Sequence, residues 1–286
     1  MKGEHPVAVL CEVLAVSRSG SYRWHHRVLT TRQRDDARLA QQIAAAHTRS
    51  RKNYGAPRIV EELRAEGTPI SKRRCARLMK AKGLHGRKKH RRGPRTTDSR
   101  HAHPPAENLL GKQAAPTGPN QAWMTDITYI HTAEGWLYLA AILDVWSRRV
   151  VGWACGPTLH VSLVLAALRS ALRHRKPAKG LVHHSDRGVQ YACHEYAAAL
   201  ATAGLVCSMS RRGNCYDNAA MESFWSTLKT EAGLDAAVPI SRRAAELIVF
   251  DYIETFYNPT RRHSSLGYPS PVAFEKKPTN NDIKAA

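Results

Sequence analysis

Trp123-Met124-Thr125-Asp126-Ile127-Thr128-Tyr129-Ile130-His131 is the stretch that decides the architecture. It is rich in β-branched and aromatic residues, which suit a pleated, half-buried surface. An acid, Asp126, sits in its middle. A carboxylate that faces a core without a partner is costly, so Asp126 marks either a pairing or a function. Downstream, Trp136 to Val145 and Arg149 to Ala154 are two more apolar runs, broken by Glu134-Gly135 and Ser147-Arg148. Three neighbouring strands with short turns predict an antiparallel meander. Val161 to Arg173 carries Leu165, Leu168 and Leu172 in helical register. A short strand follows at Leu181 to His184, a helix at Tyr191 to Ala203 and a strand at Leu205 to Met209. Asp217 to Glu231 and Ala244 to Tyr257 are further helices. The order β-β-β-α-β-α-β-α is that of a mixed α/β domain.

Upstream the texture is helical. Val9, Leu10, Val13 and Leu14 form a stripe, and Ser17 is placed to cap a second helix running to Arg27. Residues 32–48 form a third helix. Pro57 begins a fourth that ends near Gly67, and Ser71 caps a fifth that Gly83 stops. Across Thr68-Pro69-Ile70 these last two make a helix–turn–helix whose small core is Ile59, Leu63, Ile70, Leu78 and Met79. Its second helix carries Lys72, Arg73, Arg74, Arg77 and Lys80. A basic second helix is what entry into a DNA major groove needs; an ordinary helical hairpin with a wet basic face is the alternative.

Charge points the same way. The 286 residues hold 44 Lys and Arg against 23 Asp and Glu, a net of +21. Residues 1–120 carry +17 of this and residues 121–286 only +4. A basic front half joined to a near-neutral back half predicts a polyanion-binding module, with nucleic acid the best fit; a solvated charged face is the bland alternative. His85 to Arg95 is dense in Lys and Arg and leads into a stretch of Pro, Gly, Thr and Ser, which predicts a basic, poorly ordered linker. No run has the unbroken apolar length of a membrane span, and the first residues do not resemble a secretory signal. The six cysteines are scattered with no C-x-x-C pair, so neither zinc nor a disulfide framework is expected, and a reducing cytoplasm is.

Two further acids stand at informative places. Asp186, in His183-His184-Ser185-Asp186-Arg187-Gly188, follows a strand and precedes a glycine turn, where open α/β sheets place ligands. Glu222 lies one turn into the helix that begins near Asp217, on a face shared with Asn218, Ser226 and Lys229, while Ala220, Met221, Phe224 and Leu228 take the other side. Carboxylate oxygens suit Mg²⁺, and two such ions can activate an attacking oxygen and stabilise a leaving one. Spacing alone leaves open that the three acids are ion-paired surface groups. Asp144 also ends a strand but lacks the Asp-Arg-Gly turn, and Asp217 suits a helix N-cap better than a ligand. Trp136, Trp146 and Trp153 are expected to be packing aromatics. His183 and His184 fit either support of the acids or a structural role.

Three blocks carry a resemblance: Trp123 to Tyr129, His184 to Tyr191, and Asp217 to Trp225 with Leu228, Lys229 and Glu231. Together they closely resemble the OrfB-type transposases of bacterial insertion sequences, the IS-three family. The 35 residues between Asp186 and Glu222 match the D,D(35)E signature shared with retroviral integrases, as does Lys229, seven after the glutamate. Tyr257 to Pro271 and the segment from Tyr54 to Leu84 are similar to that family as well. The resemblance implies an α/β, RNase H-like catalytic core preceded by a small all-α helix–turn–helix region. It implies that Asp126, Asp186 and Glu222 ligate two Mg²⁺ or Mn²⁺ to cut DNA and join a 3′-OH to a second strand. Lys229 would contact DNA phosphate, with Arg187 and Asn218 orienting substrate or carboxylates. It further implies the element's terminal inverted repeats and target DNA as partners, a homo-oligomer on DNA, and possible fusion to the product of an upstream reading frame.

The expected organisation is an N-terminal helical segment over 1–30, helix–turn–helix over 31–92, linker over 93–118, catalytic core with a C-terminal helix over 119–275, and a tail over 276–286. A cytoplasmic, nucleoid-associated protein is expected, with no membrane partner. Two other functions fit the same residues: an inert DNA-binding regulator descended from a transposase, and a plain RNase H-like nuclease.

Overall fold

The computed structural model describes residues 5–26, 28–87, 106–211, 218–235 and 240–277. They fall into two compact units, Met1–Gly86 and Arg87–Ala286. The first half of the basic linker expected at 93–118, residues 93–105, lies outside the described residues.

The first unit is all helical: α1 (Val7–Val13), α2 (Arg18–His25), α3 (Thr31–Arg49), α4 (Ala56–Ala65) and α5 (Lys72–Ala81). Side-chain caps set its boundaries. Ser17 Oγ accepts from the Gly20 amide at 3.0 Å, and Ser71 Oγ from the Arg74 amide at 3.2 Å. Thr30 and Gln33 cap α3 reciprocally, each satisfying a backbone donor that a helix start would leave unpaired. α3, α4 and α5 enclose Ile43, Ile59, Leu63, Cys75, Leu78 and Met79, all buried. The five residues expected to form this core are all buried.

The second unit holds one five-stranded sheet in the order β3-β2-β1-β4-β5. β1 (Ala122–Thr132), β2 (Gly135–Asp144) and β3 (Val150–Gly156) make the antiparallel meander, while β4 (Val182–Ser185) and β5 (Val206–Met209) run parallel to β1. This mixed sheet, with helices following β3, β4 and β5, is the RNase H-like arrangement. α6 (Val161–Arg175) lies across β3 and β2. Gly152 permits the close approach: a Cβ there would stand 2.5 Å from the Ala167 carbonyl oxygen. Trp123, Ile142, Val164, Leu168 and Ala171 fill the space between.

Several boundaries differ from the expected ones. The helix expected over 191–203 is two, α7 (Val189–Ala192) and α8 (His194–Thr202), because Cys193 is extended at φ −72°, ψ 153°. The helix from Asp217 is described from Ala219 as α9 (Ala219–Ala232), and Asp217 lies outside the described residues. The last long helix is α10 (Arg242–Phe250), which continues as a π-helix over Asp251–Tyr257. Trp136 is not a core residue: it is 43% exposed at the hairpin, packing edge-on against Tyr129 and His131. Its hairpin position leaves it packing at the rim of the sheet, and Trp146 packs on Phe274.

The C-terminal segment secures the sheet and α9. Asn258 donates to the Val150 carbonyl and accepts from its amide, both at 3.0 Å, along the open edge of β3. Arg261, only 4% exposed, forks onto Glu231 of α9 with two hydrogen bonds of 2.7 Å, and the Tyr252 hydroxyl donates to the same carboxylate at 2.8 Å. α11 (Pro271–Glu275) brings Glu275 between Arg149 and Arg175.

Removing one member of a buried ion pair strands the other, at about 3–5 kcal/mol. Arg261→Ala is therefore expected to lower unfolding stability by that order in urea titrations. Glu231→Gln combined with Arg261→Met should recover part of the loss.

Candidate active site

The β1–β4 register places the first two acids together. Ala122 pairs with Val182, Trp123 with His183 and Met124 with His184. Carried two residues further, it sets Asp126, midway along β1, level with Asp186, just past the end of β4. Neighbouring strands lie about 4.8 Å apart, so two carboxylates crowd one spot. The consequence is electrostatic. Burial, and then the charge of Asp186, push Asp126 up to about 7, against hydrogen bonds from Trp225, the Ile127 amide and Asn218 that favour its ionised form.

Each carboxylate is held in place. Asp126 Oδ1 accepts from the Ile127 amide at 2.8 Å, and Oδ2 from the Trp225 indole N–H at 2.9 Å. Asp186 Oδ1 accepts from the Gly188 amide at 2.9 Å, and a Cβ on Gly188 would come within 3.0 Å of that oxygen. This explains the glycine in the Asp-Arg-Gly turn.

Glu222 reaches the site on α9. Asn218 and Trp225, both bonded to Asp126, lie four residues before it and three after, so all three share a helix face. The Glu222 side chain is exposed. Among the described residues, no three His, Cys, Asp or Glu side chains stand close enough together to hold a metal ion. The structure thus brings Asp126 and Asp186 together, and brings Glu222 to the same edge without closing the triad. The buried Asn218 Oδ1 has no hydrogen-bond partner. An unpaired carbonyl oxygen beside two crowded carboxylates is the donor set a hard divalent cation takes.

The other expected residues separate by role. Lys229 sits half-buried on α9. Burial lowers its pKa, offset in part by Asp126 and Asp235. Arg187 Nε donates to the Ser210 carbonyl at 2.8 Å. In the helical unit Lys72, Arg73 and Lys80 are exposed, whereas Arg74 and Arg77 both bind Asp36 of α3, at 2.7 and 2.6 Å. His184 is structural, tied to Ser208 and Ser210 at 2.9 and 3.1 Å. His183 meets the Tyr196 hydroxyl at 2.8 Å and is pushed down to about 3 by burial and by His184, so it stays neutral. Asp144 is a turn anchor, buried and accepting from the amides of Asn120, Trp146 and Ser147. Trp225 is the residue that sequence reasoning passed over. The signal available was an indole N–H three residues after the acid, where the polar face of the helix meets its apolar one.

A cleft of about 670 Å³ lies between β3, α6 and the π-helix, and includes neither Asp126 nor Asp186 among its lining residues. The acids sit instead where β4 ends beside the middle of β1; Asp186, just past a strand's carboxyl end, is where open α/β sheets place ligand-binding groups.

Comparison with known proteins gives a consistent picture. Residues 116–215 and 203–271 match two integrase core domain models, and residues 33–92 match an HTH-like domain. The chain is 47% identical over 268 residues to an uncharacterized 31 kDa protein of insertion element IS600 from Shigella sonnei, covering 94% of this chain and 98% of that one. It is 42% identical over 278 residues to transposase InsF for insertion sequence IS3A of Escherichia coli strain K12, covering 96% of each. A simian T-cell lymphotropic virus intasome is a structural neighbour at 15% identity and a TM-score of 0.49, covering 83% of this chain and 76% of that one.

Because the folded state binds a proton on Asp126 more tightly than an unfolded chain does, stability falls as pH rises from the ordinary carboxylate range through about 7. In chelator, Asp126→Asn should therefore melt several degrees above wild type at pH 8, with the difference closing toward pH 4. A difference independent of pH would contradict the carboxylate crowding.

Proposed function

The chain belongs to the IS3-family insertion-sequence transposases, polynucleotidyl transferases with an integrase core, and on that premise we propose that Asp126, Asp186 and Glu222 form its catalytic centre. The observation that carries this reading is the β1–β4 register, which sets Asp126 beside Asp186, with α9 fastened to Asp126 through Trp225.

Asp126, Asp186 and the Asn218 carbonyl oxygen would hold divalent cations, two Mg²⁺ or Mn²⁺, with Glu222 turning in from its exposed position to complete the set. Cations bound there would polarise a phosphoryl oxygen and lower the pKa of an attacking hydroxyl group. The chain's own residues supply orientation. Trp225 and the Ile127 amide fix both oxygens of Asp126, and Gly188 fixes Asp186. Lys229, on the Glu222 helix, would meet a DNA phosphate. The reaction is hydrolysis of one phosphodiester to leave a 3′-hydroxyl, followed by attack of that hydroxyl on a second phosphodiester. In the second step one P–O bond forms as another breaks, and the target strand's 3′ oxygen leaves.

Exposed Lys72, Arg73 and Lys80 of α5 would bind the element's terminal repeats. Cutting two ends and joining both to one target calls for more than one copy on the DNA, and a fusion with an upstream reading frame is compatible with the N-terminal helices. Acting on the bacterial chromosome, the protein would work in the cytoplasm at the nucleoid.

Incubation with labelled element ends, target duplex and Mg²⁺ tests this reading. Joined strands are the expected product; cut ends alone would mean a nuclease, and retarded but uncut DNA a regulator. Glu222→Gln is expected to lower cleavage by roughly a hundred- to a thousandfold, the order seen when one group of a preorganised electrostatic site is removed, with DNA affinity unchanged within about twofold. Wild-type turnover in that variant would remove Glu222 from the centre.

A further inference from the structure

The first two helices form a unit that the reading above leaves without a task. α1 ends in a tight turn in which the Val16 amide returns to the Cys11 carbonyl at 3.0 Å. Ala15 adopts φ +51° there, a left-handed conformation usually left to glycine, Asn or Asp. Ser17 then caps α2. Two short helices joined by a four-residue turn with a left-handed residue inside it have the connectivity of a helix–turn–helix.

The exposed face of α2 has the chemistry to match. Ser21 is the one half-buried residue on this helix. At 100° per residue, Ser19, Tyr22, Arg23 and the following His26 lie on the side away from it. All four carry hydrogen-bond donors. Arg18 flanks them near the helix start, beside backbone amides that favour anions. No acid occurs between Glu12 and Asp35, while Arg18, Arg23, Arg27, Arg32 and Arg34 do. Tyr22 and Trp24 are 54% and 70% exposed, far more than aromatic rings in a finished fold need to be. On α5, by contrast, Asp36 already occupies two of the five cations.

We infer that α1 and α2 form a second DNA-reading helix–turn–helix, with Ser19, Tyr22 and Arg23 of α2 facing base edges in a major groove and Arg18 on the phosphates. Double-stranded DNA is the occupant that the charge selects. The inference rests only on the DNA-binding part of the preceding reading. The chain then grips duplex at two separate places on its helical unit, α2 and α5.

The test uses the full chain and a labelled duplex made from the DNA flanking the coding region. Arg18→Ala with Arg23→Ala, both exposed, should leave the melting temperature unchanged. Affinity should fall about tenfold, and the dependence of log affinity on log salt should become shallower by about 1, the share of Arg18 on the phosphates. Hydroxyl-radical footprinting should lose a block of protection distinct from the block lost in Lys72→Ala/Arg73→Ala/Lys80→Ala. Arg23→Lys, which keeps the charge but not the forked donor geometry, should hold the salt dependence and lose discrimination against a scrambled duplex. Wild-type affinity and an intact footprint in Arg18→Ala/Arg23→Ala would overturn the assignment alone. A wild-type protein that ignored the duplex altogether would overturn the premise instead.

Discussion

Two carboxylates held side by side on adjacent strands are the constraint from which the rest of the catalytic unit follows. Asp126 and Asp186 repel each other, and the fold holds them together by giving their oxygens fixed donors: the Ile127 amide, the Trp225 indole and the Gly188 amide. The repulsion is sustained because β1 and β4 are locked by pairing in the middle of the sheet, with Trp123 and Leu181 buried beneath. Such stored unfavourable charge is the usual mark of a site whose proper ligand is positive. The same logic reaches α9. A helix bonded to Asp126 through Trp225 cannot slide or rotate without breaking that bond, which keeps Glu222, three residues earlier and exposed, on the helix that borders the pair. The buried Arg261–Glu231 fork holds the far end of that helix.

Much of this was legible in the sequence, for identifiable reasons. The meander, α6 and the helical unit follow from strong local signals: alternation, leucine spacing, and caps at Ser17 and Ser71. The helix break at Cys193 and the π-turn over Asp251–Tyr257 were not legible, because neither has a proline or glycine at it to mark the change. The acids were visible as a spacing, but their meeting was not. The β1–β4 register that aligns residues 126 and 186 is a tertiary fact with no local signature. The role of Trp225 was hidden for the same reason: its indole N–H gains meaning only when β1 arrives beneath it. Asp36, which occupies Arg74 and Arg77, likewise lies far from them in sequence, so basic residues on α5 could be counted but not sorted by availability.

The helical unit shows how composition and structure divide the labour of binding DNA. Net charge is a bulk property and predicts polyanion affinity without geometry. Structure then decides which cations are spent internally. α5 keeps Lys72, Arg73 and Lys80 for solvent, whereas α2, with no acid near it in sequence, keeps its cations exposed. Affinity and selectivity therefore need not reside on the same helix.

Asn258 has a consequence of a different kind. Its amide mimics one rung of a neighbouring strand, meeting both the N–H and the C=O of Val150 on a margin that would otherwise lie bare. A bare margin is a template for uncontrolled polymerisation. By carrying its own partner for that rung, the chain leaves its outer strand less open to stray strand-to-strand zipping with another copy.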